Sequence, residues 1–373
     1  MKNLFKNLKK YPLVIFFAVF LYALSIADLF SPQYETSELE NRDLAKFPAF
    51  SLKTLINNEY TPKIEDFTED HFIVRNSWIS LKSMSESVLG KGENNGIVYG
   101  EDGYLFTKVL AADTTQRDKN VNAIGAFVAN NPEFDIDVML VPTAPSVMTG
   151  KVKPGSPVND ASVVINQLKN LVGDENLLDV TDVLKAHNDE YIYYRTDHHW
   201  TSLGAYYAYA DFMTSNGLSP RSADEFTFVE VENFLGTHYS KSKNFNVKPD
   251  VMTYIENDSE IEIMGTVSPI YDYSKLEVRD KYAMFLQGNN GFSTIKGDGE
   301  GKILVIKDSY ANCFVPFLTG DFEQVDVIDL RFHSSSVRKL MLENEYDHVL
   351  VMYNSETIDT DIYVPKLNMY NKQ

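Results

Sequence analysis

Cysteine is almost missing from this chain: Cys313 is the only one in 373 residues. No intramolecular disulfide can form, so the fold must rest on its core, and Cys313 itself reads as a small buried hydrophobe. Basic residues are scarce as well. Beyond residue 30, 30 of the 34 Lys and Arg stand against 52 of the 53 Asp and Glu, a balance of −22. That field excludes a nucleic-acid binder, which needs basic patches. Internal repeats and low-complexity linkers are also lacking. Apolar residues at 44% and aromatic residues at 13% exclude wholesale disorder, and the length suffices for one large or two moderate domains.

The exception to the acidic balance is the N-terminus. Lys2, Lys6, Lys9 and Lys10 precede an apolar run from Tyr11 to Phe30. Its length is that of one membrane-anchor helix, with the positive end expected in the cytoplasm and the remaining chain outside. A cleaved signal peptide, with Ser25 and Ala27 as the small residues before the cut, is the rival, and it leaves the protein secreted. No cysteine lies near to carry a lipid. The organisation expected is therefore a cytoplasmic stub and membrane or signal segment over 1–30, a polar stalk with Pro32 and Pro48 over 31–50, and a folded domain over 51–373.

That domain centres on Lys302 to Phe314, KILVIKDSYANCF. Ile303-Leu304-Val305-Ile306 reads as a strand buried on both faces of a parallel sheet. Asp308-Ser309 follows at its carboxyl end, where open α/β folds place their ligands and where the next turn presents free N–H groups. Ser309 is thus a candidate nucleophile, and Asp308 alternatively a helix N-cap. A hydroxyl nucleophile needs a base, and the base an orienting carboxylate. Asp197, His198, His199 and Trp200, just ahead of a helical pattern at Leu203, Tyr206, Tyr207 and Ala210, can supply both. The same residues could instead cap the helix or approach a metal, although no third ligand loop accompanies them.

These stretches, DHHW and KDSY together with DLRF at Asp329 to Phe332, resemble the DHHW protein family, which is similar to the SGNH-hydrolase-like alginate O-acetyltransferases. SELENRDLAKFP (Ser37 to Pro48), GEDGYLF (Gly100 to Phe106) and Val141-Pro142 extend the resemblance over nearly the whole chain after the N-terminal segment. It implies an α/β, SGNH-hydrolase-like three-layer fold with a mainly parallel sheet. It also implies Ser309 as nucleophile, His199 as base and Asp197 as orienting acid, with His198 at the variable position and its role open. The activity implied is O-acetyl transfer to a cell-surface or exported polysaccharide through an acyl-serine; no cofactor and no metal are expected, and the membrane tether would place the enzyme beside a membrane-bound acyl-exporting partner. A carbohydrate O-acetylesterase of the same fold and a non-catalytic polysaccharide-binding protein are the alternatives. The acidic balance makes a neutral or amino-sugar polymer easier to accommodate than a polyuronate.

Along the chain, helices are expected over Leu52–Phe67, Phe72–Leu89, Asp113–Asn130 and Ala161–Val172. A hairpin is expected at Ile97–Tyr99 and Tyr104–Phe106, and strands at Val138–Val141 and Leu177–Val180. Residues 219–295 read as a β-rich insertion beside the site, with strands near 226–231, 251–255, 261–264 and 282–286 and with His238 as a surface or groove residue; the alternative is an excursion of the same sheet. Core strands resume at Val325–Leu330 and Val349–Met352, separated by a helix starting near Ser334–Ser336. Arg331 after the first and Tyr353 and Asn354 after the second are candidate oxyanion or substrate donors, Arg331 alternatively pairing with Asp308 or Asp329.

Overall fold

The computed structural model describes residues 11–37, 39–109, 114–244 and 247–369. The four N-terminal lysines and Asp113, the expected first residue of a helix, lie outside them. The chain divides into two compact units, Met1–Lys91 with Lys243–Phe245, and Gly92–Ser242 with Asn246–Gln373.

The first unit is mostly helical. Its helix Pro12–Leu29 has 18 residues, about 27 Å at 1.5 Å per residue. Among the described residues no helix is long and apolar enough to cross a membrane. Asp28 accepts a hydrogen bond from the Ile73 N–H at 2.8 Å. A two-residue ribbon pairs β1 (Thr36–Ser37) with β2 (Arg42–Asp43). The helix expected over Leu52–Phe67 is two, Leu52–Ile56 and Tyr60–His71, because Asn58 turns the backbone to φ 61° between them. Pro62 falls in the first turn of the second, where its missing N–H costs nothing. The next helix starts at Arg75 rather than Phe72, after Val74 at φ 50°.

The second unit opens with β3 (Glu93–Asn94), β4 (Ile97–Tyr99) and β5 (Leu105–Thr107), the last two forming the expected hairpin, whose turn holds Gly103 at φ 82°. Then follow β6 (Ile136–Val141), β7 (Leu177–Asp179), β8 (Phe228–Phe234), β9 (Asp250–Ile255), β10 (Glu260–Ile263), β11 (Thr266–Pro269), β12 (Ser293–Lys296), β13 (Lys302–Lys307), β14 (Gln324–Asp329) and β15 (His348–Asn354). Eight of these make one sheet in the order β11-β10-β12-β14-β13-β15-β6-β7. The five from β14 to β7 run parallel; β12, β10 and β11 extend it antiparallel.

Side-chain alternation on β13 divides the interior. Ile303 and Val305 enter one core with Trp200, Ala205 and Phe212, while Leu304 and Ile306 enter another with Ile124, Val164 and Met341. Helices therefore cover both faces of the sheet, Ser202–Ser215 on one and Thr115–Ala129, Ala161–Val172 and Val337–Asn344 on the other. Ser336 caps the last by accepting from the Lys339 N–H, as its sequence suggests.

The β-rich segment 219–295 departs from expectation in two ways. Only β8 and β9 stand apart as a ribbon; β10 to β12 belong to the main sheet, so the excursion reading describes most of it. The strand expected over 282–286 is a 3-10 turn at Lys281–Met284, because Leu286 and Gln287 both take φ 55° and end any extended run.

Candidate active site

β13 ends at Lys307 and delivers Asp308 and Ser309 to the carboxyl edge of the parallel sheet. Asp308 is fixed before Ser309 is considered. Its Oδ1 accepts from the Tyr310 N–H at 2.9 Å, and its Oδ2 accepts from the Asn354 N–H at 2.8 Å and the Asn354 Nδ2 at 2.6 Å. The N-cap reading of Asp308 is therefore correct. It leaves the Ser309 side chain free to meet the loop 193–200, whose ends are joined by a bridge between Tyr193 and Trp200.

The structure brings Ser309, His199 and Asp197 together. The Ser309 hydroxyl lies 2.8 Å from His199 Nε2, and His199 Nδ1 lies 2.6 Å from Asp197 Oδ1. Asp197 Oδ1 also accepts from the His199 N–H at 3.0 Å, and its Oδ2 from the Thr237 N–H at 2.7 Å. Burial works to raise the Asp197 carboxyl. The flanking imidazoles of His198 and His199 and these hydrogen bonds more than offset it, so the group stays well below the usual carboxylate range. With Asp197 ionised the roles are fixed: Nδ1–H donates to the carboxylate, and Nε2 is left to accept the serine proton.

Three supports keep the loop in place, and sequence reasoning found none of them. The first is Trp200, whose Nε1 donates to the Tyr310 carbonyl at 2.9 Å while the Tyr310 hydroxyl donates to the His198 carbonyl, so the two loops are laced by reciprocal bonds. The second is Tyr282, whose ring stacks on His199 with centroids 3.8 Å apart and planes 12° apart. Its hydroxyl reaches the Ser309 carbonyl at 3.1 Å. The third is Asp250 at the start of β9, fully buried. It accepts from the Tyr191 hydroxyl at 2.5 Å, from Arg195 N and Nε at 3.3 and 3.1 Å, and from Thr196 N and Oγ1 at 2.7 Å each. These donors end one residue before Asp197. Gly236 was the available signal for a close approach: a Cβ there would lie 2.2 Å from the Asp197 Cβ.

Asp250→Asn keeps the shape but leaves one acceptor oxygen, and an NH₂ facing donors. Its unfolding free energy is expected to fall by about 3 kcal/mol or more, since bonds to a buried charge are the costly ones to lose. Urea denaturation reads this, and a change below about 0.5 kcal/mol contradicts the anchoring role.

The remaining candidates separate. Arg331 pairs with Asp329, Nε to Oδ1 at 2.9 Å and Nη2 to Oδ2 at 2.5 Å, so the structural pairing describes its main engagement. Asp329 also lies 3.6 Å from the buried Lys307 Nζ, whose pKa burial pushes down to about 8. Tyr353 is a correction: it is buried in the core beyond the sheet with Ile306, Leu330 and Ile358, on the face away from Tyr310 and Trp200. Asn354 holds Asp308 and caps the next helix through its Oδ1, accepting from the N–H groups of Glu356 and Thr357. His198 packs on His199 with ring centroids 3.8 Å apart and lines a cavity of about 520 Å³. His238 is buried, not on the surface, and lines the same cavity with its Nε2 3.0 Å from Thr107 Oγ1.

Asp197, His198 and His199 offer potential metal-ligand atoms within 4.8 Å of one another. Both ring nitrogens of His199 are already hydrogen-bonded, to Ser309 and to Asp197, so a metal would have to displace the arrangement just described.

The model of the family described as DHHW protein matches residues 164–328, a span holding both the histidine loop and Ser309. This stretch resembles the DHHW protein family. A DHHW family protein from Eubacterium siraeum is similar in structure at 24% identity, with a TM-score of 0.63 over 75% of this chain and 98% of that one. Bacillus cereus PatB1 is similar at 22% identity and a TM-score of 0.59, over 72% of this chain and 98% of its own. PatB1 with a sulfonyl adduct is similar at 20% and 0.60, over 73% and 98%. No curated protein sequence matches the chain. Solved structures thus share the fold of this chain over about three quarters of its length.

Proposed function

We propose that the chain is a serine-dependent O-acyltransferase with an SGNH-hydrolase-like catalytic unit, moving an acetyl group onto a polysaccharide outside the cytoplasm. The observation that carries this reading is the continuous hydrogen-bonded line from Asp197 through His199 to the Ser309 hydroxyl. His199 Nε2 takes the Ser309 proton as Oγ bonds the acyl carbon of the donor. The imidazolium, held by Asp197, then gives that proton to the departing group. A sugar hydroxyl next loses its proton to His199 and attacks the acyl-serine carbon, and Oγ leaves and is reprotonated. In this reading the Ser309 N–H, first in its turn and so without an acceptor inside it, donates to the oxyanion. The sequence pattern of four lysines ahead of the apolar run Tyr11 to Phe30 is what supports an outward-facing domain on a membrane tether, beside a membrane partner that exports the acyl group.

The test is chemical labelling. PatB1 has been solved with a sulfonyl adduct. The full chain treated with phenylmethylsulfonyl fluoride is expected to carry one sulfonyl group on Ser309, found by peptide mass spectrometry, and p-nitrophenyl acetate is expected to leave an acetyl group there. Labels elsewhere, or none, refute the nucleophile and favour a protein that binds polysaccharide without chemistry. An acetyl-Ser309 that only water discharges, with a sugar acceptor present, makes the protein an esterase.

A further inference from the structure

Lys307 is the last residue of β13, two positions before Ser309, and the reaction described above makes no use of it. Its side chain is 1% exposed. Alternation along β13 puts it on the face of Ile303 and Val305, which share their core with Trp200. An ammonium in such a place is costly unless its partners repay the water it has lost. The charge partner is Asp329, whose Oδ2 stands at 3.6 Å, but Arg331 already engages both oxygens of that carboxylate. The closer partner is uncharged: Nζ donates to Asn289 Oδ1 at 3.1 Å.

The same oxygen takes a second donor. Asn312 Nδ2 reaches it at 3.2 Å, and Asn312 lies in the turn Ser309–Cys313 that carries the nucleophile. The other end of the Asn312 amide adds no support, because its Oδ1 is buried without a hydrogen-bond partner. Asn289 is itself an exposed residue, so water competes for its oxygen, and the strength of the inward bonds decides where that oxygen points. A bond from an ammonium is roughly twice as strong as one from a neutral donor.

We propose that Lys307 is a positioning residue for the nucleophile: as the ammonium it fixes Asn289, and through Asn289 it steadies Asn312 and the turn that presents Ser309. The inference rests on Ser309 being the nucleophile and adds a control on its reactivity. Burial pushes the Lys307 amine down to about 8; of the charged groups around it, Asp329 and Asp308 raise it and Arg331 lowers it. The ammonium is therefore present at neutral pH and is lost as pH rises through about 8.

The test is the rate at which phenylmethylsulfonyl fluoride sulfonylates Ser309 in the full chain, followed by peptide mass spectrometry as a function of pH. Wild type is compared with Lys307→Met, which keeps the apolar stem and removes the charge. At about pH 7 the variant is expected to react about tenfold more slowly, the cost of a loosened nucleophile. Above about pH 9 the two rates are expected to converge, because wild type has by then lost the same charge. A lysine that only fills space would make the variant slow by one factor at every pH. A ratio that stays constant with pH, or rates within about twofold of each other at neutral pH, overturns the inference. Should Lys307→Met melt early, Asn289→Ala gives the second measurement at an exposed position. It cuts the link and leaves the lysine, so the same slow neutral rate and the same convergence are expected; a wild-type rate there overturns the inference too. Absence of label on wild-type Ser309 refutes the nucleophile and this proposal with it, whereas label with a constant ratio removes the positioning role alone.

Discussion

Ser309→Ala is expected to lower acyl transfer by about four to six orders of magnitude, leaving only what binding and the backbone donors supply. The size follows from what the substitution removes and what it spares. It deletes the oxygen that, in the proposed reaction, bonds the acyl carbon. The turn is held by Asp308, Asn354 and the Trp200–Tyr310 lacing, none of which uses the Ser309 hydroxyl, so the fold should be unchanged. His199→Ala is expected to cost nearly as much, because a serine without its base is a weak nucleophile. The pair acts as a unit, so the double variant should be no slower than the worse single one. Initial rates of acetyl transfer from p-nitrophenyl acetate, with circular dichroism to verify folding, measure all three. Losses that multiply across the pair, or a Ser309→Ala rate within tenfold of wild type, would show that serine and histidine do not share a step.

The parts of this site that could be read from sequence are those set by neighbours along the chain. Four branched apolar residues before Asp308 specify a doubly buried strand wherever it pairs, and a carboxylate two residues before a histidine reaches its ring through a single turn. Tyr282 was not legible in the same way. Its stacking on His199 joins positions far apart in sequence, and the apolar cluster around it looks extended unless the left-handed backbone at Leu286 and Gln287 is known. Nothing in leucine or glutamine announces that conformation. The attachment of β12 to β14 is likewise a choice between edges that local pattern leaves open. Tyr353 is different: the strand expected to stop at Met352 runs on to Asn354, so the two adjacent candidates point to opposite faces and only one of them can lie on the side of Ser309. Arg331 had its acid two positions earlier in Asp329, close enough for the bidentate pair that forms.

Asp197→Asn tests whether the carboxylate acts through its charge or only through its shape. The amide can occupy the same space, but its NH₂ cannot accept, and it must face either the Thr237 N–H or the His199 ring, both of which point donors at Asp197. Turned one way it orphans a backbone donor; turned the other it forces His199 to present Nδ1 as acceptor and Nε2–H towards Ser309, the tautomer that cannot take the serine proton. A loss of about 10⁴ in kcat is expected, with KM little changed because the substituted atoms are buried and engaged by His199 and Thr237. Stability gives an independent reading. Asp197 is held below its unfolded value of about 3.9, so its contribution is present above that pH and disappears as pH falls through the lower folded value. Wild type should therefore lose stability relative to Asp197→Asn on acidification below about pH 4, and the difference between them should be constant in the neutral range. A variant that keeps its kcat, or a stability gap indifferent to acid, would mean that His199 is oriented by packing against Tyr282 and His198 and not by the buried charge.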